Sequence, residues 1–107
     1  MHILVTGATG GIGRGICEVL ASQATQELKL TVASTQNSDR LANLVQALND
    51  RGVQAQGVVG DVTRPDDARR LVHDALNDHG DLDALVCVAG ASGPGKLAEL
   101  STEQWDL

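Results

Sequence analysis

Apolar residues recur along the chain in two alternating patterns, one typical of strands and one typical of helices. Short apolar and β-branched runs predict strands at residues 3–5, 28–34, 53–59 and 84–88. Between them, apolar residues at helical spacing predict helices. Their expected apolar faces comprise Ile12, Ile16, Val19 and Leu20; then Leu41, Leu44, Val45 and Leu48; then Ala68, Leu71, Val72, Ala75 and Leu76. Such alternation is typical of an α/β fold with a parallel sheet and right-handed crossovers.

The ends of two helices are also marked in the sequence. Gly52 and Gly80 stand where the second and third helices should end, since glycine readily adopts the left-handed conformation of a helix terminus. The third helix is expected to begin near Thr63, with its hydroxyl as the cap, Pro65 in the first turn and Asp66 close behind.

Strand patterning predicts the order of the sheet. The first and fourth strands are continuously apolar, as strands covered by helices on both faces are, whereas the third alternates apolar residues with Gln54 and Gln56. We therefore predict the order 3-2-1-4, in a three-layer Rossmann-type sandwich. Residues 1–107 are expected to form a single domain of this type, incomplete at its C-terminus.

Composition narrows the function classes. The chain is 42% hydrophobic and 21% charged, as soluble globular proteins are, and has no apolar run of membrane-spanning length and no recognisable signal peptide. We expect a cytoplasmic protein with no membrane partner. The formal net charge of −6 argues against binding a nucleic-acid backbone.

Cysteines and histidines suggest no metal site. Cys17 and Cys87 lie far apart in apolar settings, and we expect both to be buried free thiols. His2, His73 and His79 lack the spacing of zinc or iron ligands and are expected at the surface.

A glycine-rich loop between the first strand and the first helix is the main candidate site. Glycines there permit a tight turn and let backbone amides approach a phosphate, and the helix N-terminus adds partial positive charge. A glycine-rich turn without a ligand is the alternative. A P-loop is excluded because no lysine precedes Lys29. The candidate pyrophosphate-binding residues are Gly7, Thr9, Gly10, Gly11, Ile12 and Gly13.

The sequence resembles the short-chain dehydrogenases/reductases over its whole length. The family's Thr-Gly-x-x-x-Gly-x-Gly pattern is matched by Thr6, Gly7, Gly11 and Gly13. Asp61-Val62 is similar to its adenine-contacting pair, residues 82–86 to its fourth strand, Ala89-Gly90 to the turn against the nicotinamide ribose, and residues 102–106 to its next helix. The spacing of Gly7, Gly10 and Gly13 also fits the extended branch, but the Asp-Val and Ala-Gly motifs favour the main one.

The resemblance implies hydride transfer between a nicotinamide cofactor and a carbonyl or alcohol. Thr35 and Gln36 stand at the end of the second strand, where a carboxylate would favour NAD and an arginine would favour NADP. Gln36 is the candidate cofactor-binding residue at this position. Because the carboxylate is absent, NADP is slightly favoured. Arg14 and Arg40 are nearby candidates for phosphate contact, with a solvated surface role equally open. Cys87-Val88 replaces the family's usual Asn-Asn.

No catalytic residue is assigned. The family uses a serine and a Tyr-x-x-x-Lys pair, and this chain has no tyrosine; its lysines, Lys29 and Lys96, lie elsewhere. By resemblance those residues would follow residue 107. A capping box at Ser101 and Gln104 also predicts a helix that the chain cuts short, as a truncated chain would.

Truncation would leave the fourth strand, residues 85–88, as an apolar edge without charge, proline or bulge. We expect a homodimer through this edge, a complementing chain, or poor solubility. For function, three hypotheses stay open: the cofactor-binding portion of a short-chain oxidoreductase, a non-catalytic dinucleotide-binding module, and a structural remnant that oligomerises.

Overall fold

Strand and helix alternate from the N-terminus of the chain, as the hydrophobic pattern predicts. The computed structural model describes residues 1–24 and 26–89. In chain order the elements are β1 (His2–Thr6), α1 (Gly11–Gln23), β2 (Lys29–Ser34), α2 (Asp39–Asp50), β3 (Gln54–Val59), α3 (Pro65–His79) and β4 (Ala84–Cys87). The helix predicted after Ser101 lies outside the described residues, as do Gly90 and Lys96.

All strands of the sheet run parallel, in the order β3-β2-β1-β4. β1 is central, and its Leu4 lies between Thr31 of β2 and Leu85 of β4. The predicted order is therefore confirmed. Because parallel strands all end at one edge, this order brings the carboxyl ends of the strands together beside the start of α1.

Two apolar clusters lie on opposite faces of the sheet. On one face, Val5 and Leu30 pack with Cys17 of α1 and with Leu44 and Leu48 of α2. On the other face, Leu4 and Val58 pack with Leu71 of α3. Successive strand residues point to opposite faces, so neighbours Leu4 and Val5 belong to different clusters. The three-layer arrangement is confirmed.

Helix ends follow the sequence signals with one exception. Gly52 and Gly80 follow α2 and α3, as expected, and have positive φ of +85° and +80°, which glycine adopts more readily than other residues. The cap predicted at Thr63 is wrong. α3 begins at Pro65 with no side-chain cap, because the Thr63 hydroxyl donates a 2.6 Å hydrogen bond to the Asp61 carboxylate instead.

The expected apolar face of α1 is partly wrong. Ile12 and Val19 are 74% and 53% exposed, whereas the helix buries Gly13 and Cys17. The physical reason is the close approach of Gly13 to the backbone of Gly7 and Ala8. That approach turns the face containing Gly13 and Cys17, four residues apart, toward the sheet.

Two expectations about polar residues need correction. Cys87 is exposed rather than buried, because no other described residue covers that edge of β4. Cys17 is buried as expected, and burial raises the pKa of its thiol to about 11. His2 is buried rather than at the surface. Its Nε2 lies 2.7 Å from the hydroxyl of Thr31, and its Nδ1 lies 3.0 Å from the carbonyl oxygen of Gly80.

The remaining histidines differ in environment. His73 is exposed, as expected, but the ring of His79 is half-buried and meets the ring of His2 edge-to-face, with 5.2 Å between centroids. Within residues 1–24 and 26–89, no helix is long and apolar enough to cross a membrane.

Candidate functional site

The carboxyl ends of the strands and the N-terminus of α1 enclose a cavity of about 360 Å³. Such a crevice, at the point where strand order reverses, is where open α/β sheets bind ligands. It is lined by Thr6, Gly7, Thr9, Gly10, Gly11, Ile12, Gly13, Ala33, Ser34, Thr35, Gly60, Val62, Val88 and Ala89.

Two glycines of the loop are required by the fold itself. Gly7 has φ +64°, and a Cβ there would lie 2.6 Å from the amide nitrogen of Ala89. A Cβ on Gly13 would collide with the carbonyl oxygen of Gly7 and lie 2.8 Å from the Cα of Ala8. These glycines let the β1–α1 turn, the end of β4 and the first turn of α1 pack directly against one another.

The packing around Gly11 gives no comparable reason for a glycine. A Cβ at this position would have no neighbour within 4 Å, and its φ is not positive. Gly11 nevertheless lines the cavity. A glycine that lines a cavity and has no packing reason to be a glycine is consistent with a ligand that approaches the backbone closely.

The N-terminus of α1 presents unpaired backbone donors to this cavity. Among the described residues, the N–H groups of Gly11, Ile12 and Gly13 have no acceptor, and α1 has neither a side-chain cap nor an acid in its first turn. The contrast within the chain is clear. Ser38 caps α2 and Asp39 follows it, and α3 carries two acids in its first turn. Of the three described helices, α1 alone therefore has neither a side-chain cap nor a first-turn acid to compensate its positive end, and this end lies at the cavity.

The β4 side of the cavity is held by Thr6. Its buried hydroxyl oxygen accepts hydrogen bonds from the N–H groups of Val88, at 3.3 Å, and Ala89, at 3.4 Å. This contact joins the end of β1 to the segment after β4. Together with the approach of Gly7 to Ala89, it fixes the wall that Val88 and Ala89 form.

The β2 side contains hydroxyl groups and no carboxylate. Buried Ser34 has its Oγ 3.4 Å from the Oγ1 of Thr9, and the same Oγ accepts a 3.4 Å hydrogen bond from the N–H of Gln36. Ser34 and Thr35 line the cavity, but Gln36 does not and is exposed.

The β3 side is formed by the turn that leads into α3. Val62 lines the cavity, whereas Asp61 does not. The Asp61 carboxylate accepts hydrogen bonds from the N–H of Thr63, at 2.9 Å, and from its hydroxyl. Those bonds favour the charged form and hold the pKa of Asp61 below its usual value.

Most of the loop residues predicted from sequence lie together in the structure. Gly7, Thr9–Gly13, Val62 and Ala89 all line the cavity; Gln36 and Asp61 lie next to it, and Gly90 lies outside the described residues. Lining residues outside the predicted cofactor-binding set are Thr6, Ala33, Ser34, Thr35, Gly60 and Val88, although Thr6, Thr35 and Val88 belong to segments that the family resemblance singled out. Their position at the carboxyl ends of the strands was the available signal, since this edge holds the site in such folds.

The described residues contain no group of three or more His, Cys, Asp or Glu side chains placed to hold a metal ion. The groups that face the cavity are backbone amides, hydroxyls and short apolar side chains. Such groups suit an anionic ligand with apolar and sugar-like parts better than a cation.

The fold and the cavity together define a Rossmann-type dinucleotide-binding architecture. The sequence profile of the family described as short chain dehydrogenase matches residues 1–107. The chain belongs to the short-chain dehydrogenase family. The family resemblance drawn from the sequence is thereby confirmed.

Individual relatives agree with this assignment. The chain is 42% identical over 103 residues to the ketoacyl reductase assigned to the monensin polyketide synthase of Streptomyces virginiae, covering 96% of this chain and 38% of that protein. The 3-oxoacyl-[acyl-carrier-protein] reductase of Haemophilus influenzae is 37% identical, over 95% of this chain and 39% of its own. The chain thus spans well under half the length of these relatives.

Solved structures show the same architecture. A variant of the actinorhodin polyketide ketoreductase with NADPH superposes with a TM-score of 0.80 and 35% sequence identity, covering 97% of this chain and 38% of that one. This chain therefore matches well under half of that ketoreductase chain.

Proposed function

We propose that this chain binds a nicotinamide dinucleotide, with the pyrophosphate over the N-terminus of α1. The observation that carries the proposal is the set of unpaired N–H groups at Gly11, Ile12 and Gly13, which line the cavity. Gly11 supports it further, since the packing of the protein gives no reason for a glycine there. A pyrophosphate would supply acceptors for these donors and negative charge for the helix end.

On this proposal, the two halves of the dinucleotide would lie on opposite sides of α1, and the strand order supports that arrangement. In Rossmann folds the end of the second strand faces the adenosine ribose, so the adenosine half would lie over β2 and β3. Ser34, Thr35 and Val62 line that side. In this arrangement Val62, of the pair Asp61-Val62, would contact the adenine, and Asp61 would shape the turn that presents Val62. Gln36 would lie at the outer edge of the ribose.

The nicotinamide half would lie over the end of β4. Val88 and Ala89 form that wall, and Thr6 and Gly7 fix it. By family resemblance, Ala89 and Gly90 would contact the nicotinamide ribose. The side chains at Cys87 and Val88 cannot offer the amide hydrogen bonds of the asparagines usual in the family.

NADP is the proposed cofactor in preference to NAD. No carboxylate among the lining residues opposes a 2′-phosphate, and the hydroxyls of Ser34 and Thr35 lie where β2 ends. The actinorhodin ketoreductase structure is described as containing NADPH, which is consistent with this choice.

The activity that we propose for the protein is hydride transfer between the nicotinamide cofactor and a carbonyl or alcohol substrate. Bound NADPH would supply the hydride. The residues of this chain would bind the pyrophosphate, orient the two halves and restrict water access, and none is assigned as an acid or base because the chain has no tyrosine. A binding module without catalysis, or a remnant that binds nothing, would use the same fold.

Fluorescence titration with NADPH and NADH tests the proposal. We expect saturable binding of both nucleotides, with NADPH bound more tightly. A remnant would give no saturable signal, and equal or tighter binding of NADH would remove the preference for NADP. Turnover of NADPH with a panel of carbonyl compounds would then separate an oxidoreductase from a binding module.

We also propose that the free edge of β4 pairs with a second copy of this chain. Within the described residues β4 pairs only with β1, and Leu85 is 56% exposed beside exposed Cys87. An apolar edge without charge or proline offers unpaired backbone groups to another strand. Pairing with a different, complementing chain is the alternative outcome.

A further inference from the structure

The turn between β3 and α3 forms one wall of the cavity, and its conformation depends on a carboxylate from the helix. The N–H of Asp61 donates a 2.8 Å hydrogen bond to Oδ2 of Asp67, which lies in the first turn of α3. Inside the turn, the Asp61 side chain bonds Thr63, and the carbonyl of Asp61 accepts from the N–H of Arg64. Asp67 is thus the α3 side chain that bonds the backbone of this turn.

Arg70 strengthens the same connection. Its guanidinium donates to the carbonyl oxygen of Val59, at the end of β3, and lies 3.9 Å from Oδ1 of Asp67. The Asp67 side chain is 30% exposed, so the two oxygens of one partly buried carboxylate serve the turn and the arginine. A charge-assisted hydrogen bond is stronger than a neutral one, particularly where water is partly excluded.

Tight packing limits the alternative positions of the turn. Gly60 is buried and lines the cavity, and a Cβ there would lie 2.9 Å from Nη2 of Arg70 and 3.0 Å from Cγ of Leu71. The N–H of Gly60 also donates to the carbonyl of Ser34, at 2.9 Å. The turn is therefore fixed on its β2 side by the strand and on its α3 side by Asp67.

We infer that Asp67 is a positioning residue for the adenosine half of the dinucleotide, acting through the Asp61–Val62 turn. This inference rests on the proposed function, because it assumes that Val62 contacts the adenosine half. Asp67 itself touches no part of the cavity. Without its carboxylate the N–H of Asp61 loses its acceptor, and Val62 loses its fixed position beside Gly60.

The neighbouring Asp66 provides a matched control. It lies in the same first turn of α3 and pairs with Arg69, but its side chain is 98% exposed and bonds no residue of the β3–α3 turn. Asp66→Ala and Asp67→Ala each remove one acid from the helix N-terminus, so the loss of helix-dipole stabilisation is common to both. Asp67→Asn keeps an oxygen acceptor for the Asp61 amide.

The test compares nucleotide binding and amide exchange in these variants. We expect Asp67→Ala to weaken NADPH binding by about tenfold, since it removes a hydrogen bond to a charged group that orders the wall. Adenosine 2′,5′-bisphosphate should weaken by a similar factor, and nicotinamide mononucleotide should not. Asp67→Asn should retain most of the binding, and Asp66→Ala should bind like the unsubstituted chain.

Hydrogen exchange at the Asp61 amide provides a readout that needs no ligand. It should be faster in Asp67→Ala than in Asp66→Ala at equal thermal stability. Equal exchange in the two variants would overturn the inference. Equal weakening of both half-molecules would also overturn it, since that indicates a general loss of structure. A different result would refute the proposed function instead: the unsubstituted chain binds no NADPH, although Asp67→Ala still speeds hydrogen exchange at the Asp61 amide.

Discussion

The carbonyl oxygen of Gly7 occupies the space that a Cβ atom on Gly13 would need. This relationship holds the first turn of α1 against the turn that follows β1, and it places the helix N-terminus at the cavity. Gly15, two residues further along and on the opposite side of the helix, has open space where its Cβ would stand. The two glycines therefore predict opposite effects of the same substitution.

Gly13→Ala should destabilise the fold by about 2 kcal/mol, because a methyl group forced against backbone atoms displaces them. Gly15→Ala should stabilise it by about 0.5–1 kcal/mol, because alanine loses less conformational entropy than glycine in a helix. Urea unfolding of both variants measures the difference. A Gly13→Ala chain as stable as the unsubstituted one would show that the helix and the loop are less closely packed than described.

Thr6→Val should loosen the β4 wall of the cavity. The substitution keeps the shape of the side chain but removes the oxygen that accepts from the N–H groups of Val88 and Ala89. We expect a loss of about 1 kcal/mol in unfolding free energy and faster hydrogen exchange at both amides. Thr6→Ser keeps the hydroxyl and should exchange as slowly as the unsubstituted chain; fast exchange in Thr6→Ser would contradict the assigned role.

Stability should depend on pH through His79. Partial burial lowers the pKa of its imidazole, and the neighbouring His2 and Lys29 lower it further, against an opposing effect of Asp78. The unfolded chain then binds protons more readily than the folded one, so the contribution of His79 to stability is present at neutral pH. It is lost as pH falls through the unfolded value of 6.5 toward the lower folded value.

Comparing the unsubstituted chain with His79→Asn separates the contribution of His79 to the pH dependence of stability from that of the carboxylates. The unfolding free energy should fall more steeply between pH 7 and mildly acidic pH in the unsubstituted chain than in the variant. Parallel pH profiles for the two chains would show that His79 has no such role.

Leu85→Lys should reduce self-association if β4 pairs with a second copy. A charged side chain on an edge strand disfavours strand addition, and Leu85 is a large apolar side chain of β4 that is 56% exposed. Light scattering should show concentration-dependent dimers for the unsubstituted chain and monomers for Leu85→Lys. Val72→Lys is the control, since Val72 is similarly exposed but lies on α3. A clean monomer at high concentration would refute the pairing proposal.

Sequence patterns predicted the parts of this fold that depend on neighbouring residues along the chain. The strand order followed from which strands are apolar on both faces, and Gly52 and Gly80 marked helix ends because their backbone conformation is a local property. The loop residues of the site were found for the same reason, since Gly7–Gly13 is one continuous segment.

The errors concern side-chain contacts and coverage that the hydrophobic pattern does not specify. His2 is buried because Thr31 and Gly80 supply its hydrogen-bond partners, and neither is near it in sequence. The cap expected at Thr63 was lost to a competing acceptor on Asp61. Cys87 has the apolar neighbours of a buried strand residue, but burial depends on a covering segment, which a local pattern does not reveal.

Gly11→Asp tests the central claim most directly, by fluorescence titration with NADPH. An aspartate there would meet no protein atom at its Cβ and would complement the positive end of α1, so the fold should be as stable or more stable. The carboxylate would, however, occupy the cavity and repel a pyrophosphate. Gly15→Asp adds the same charge in the same helix at a position that does not line the cavity. We predict that Gly11→Asp loses saturable NADPH binding while Gly15→Asp retains it; a folded Gly11→Asp chain that binds NADPH like the unsubstituted protein would contradict the account.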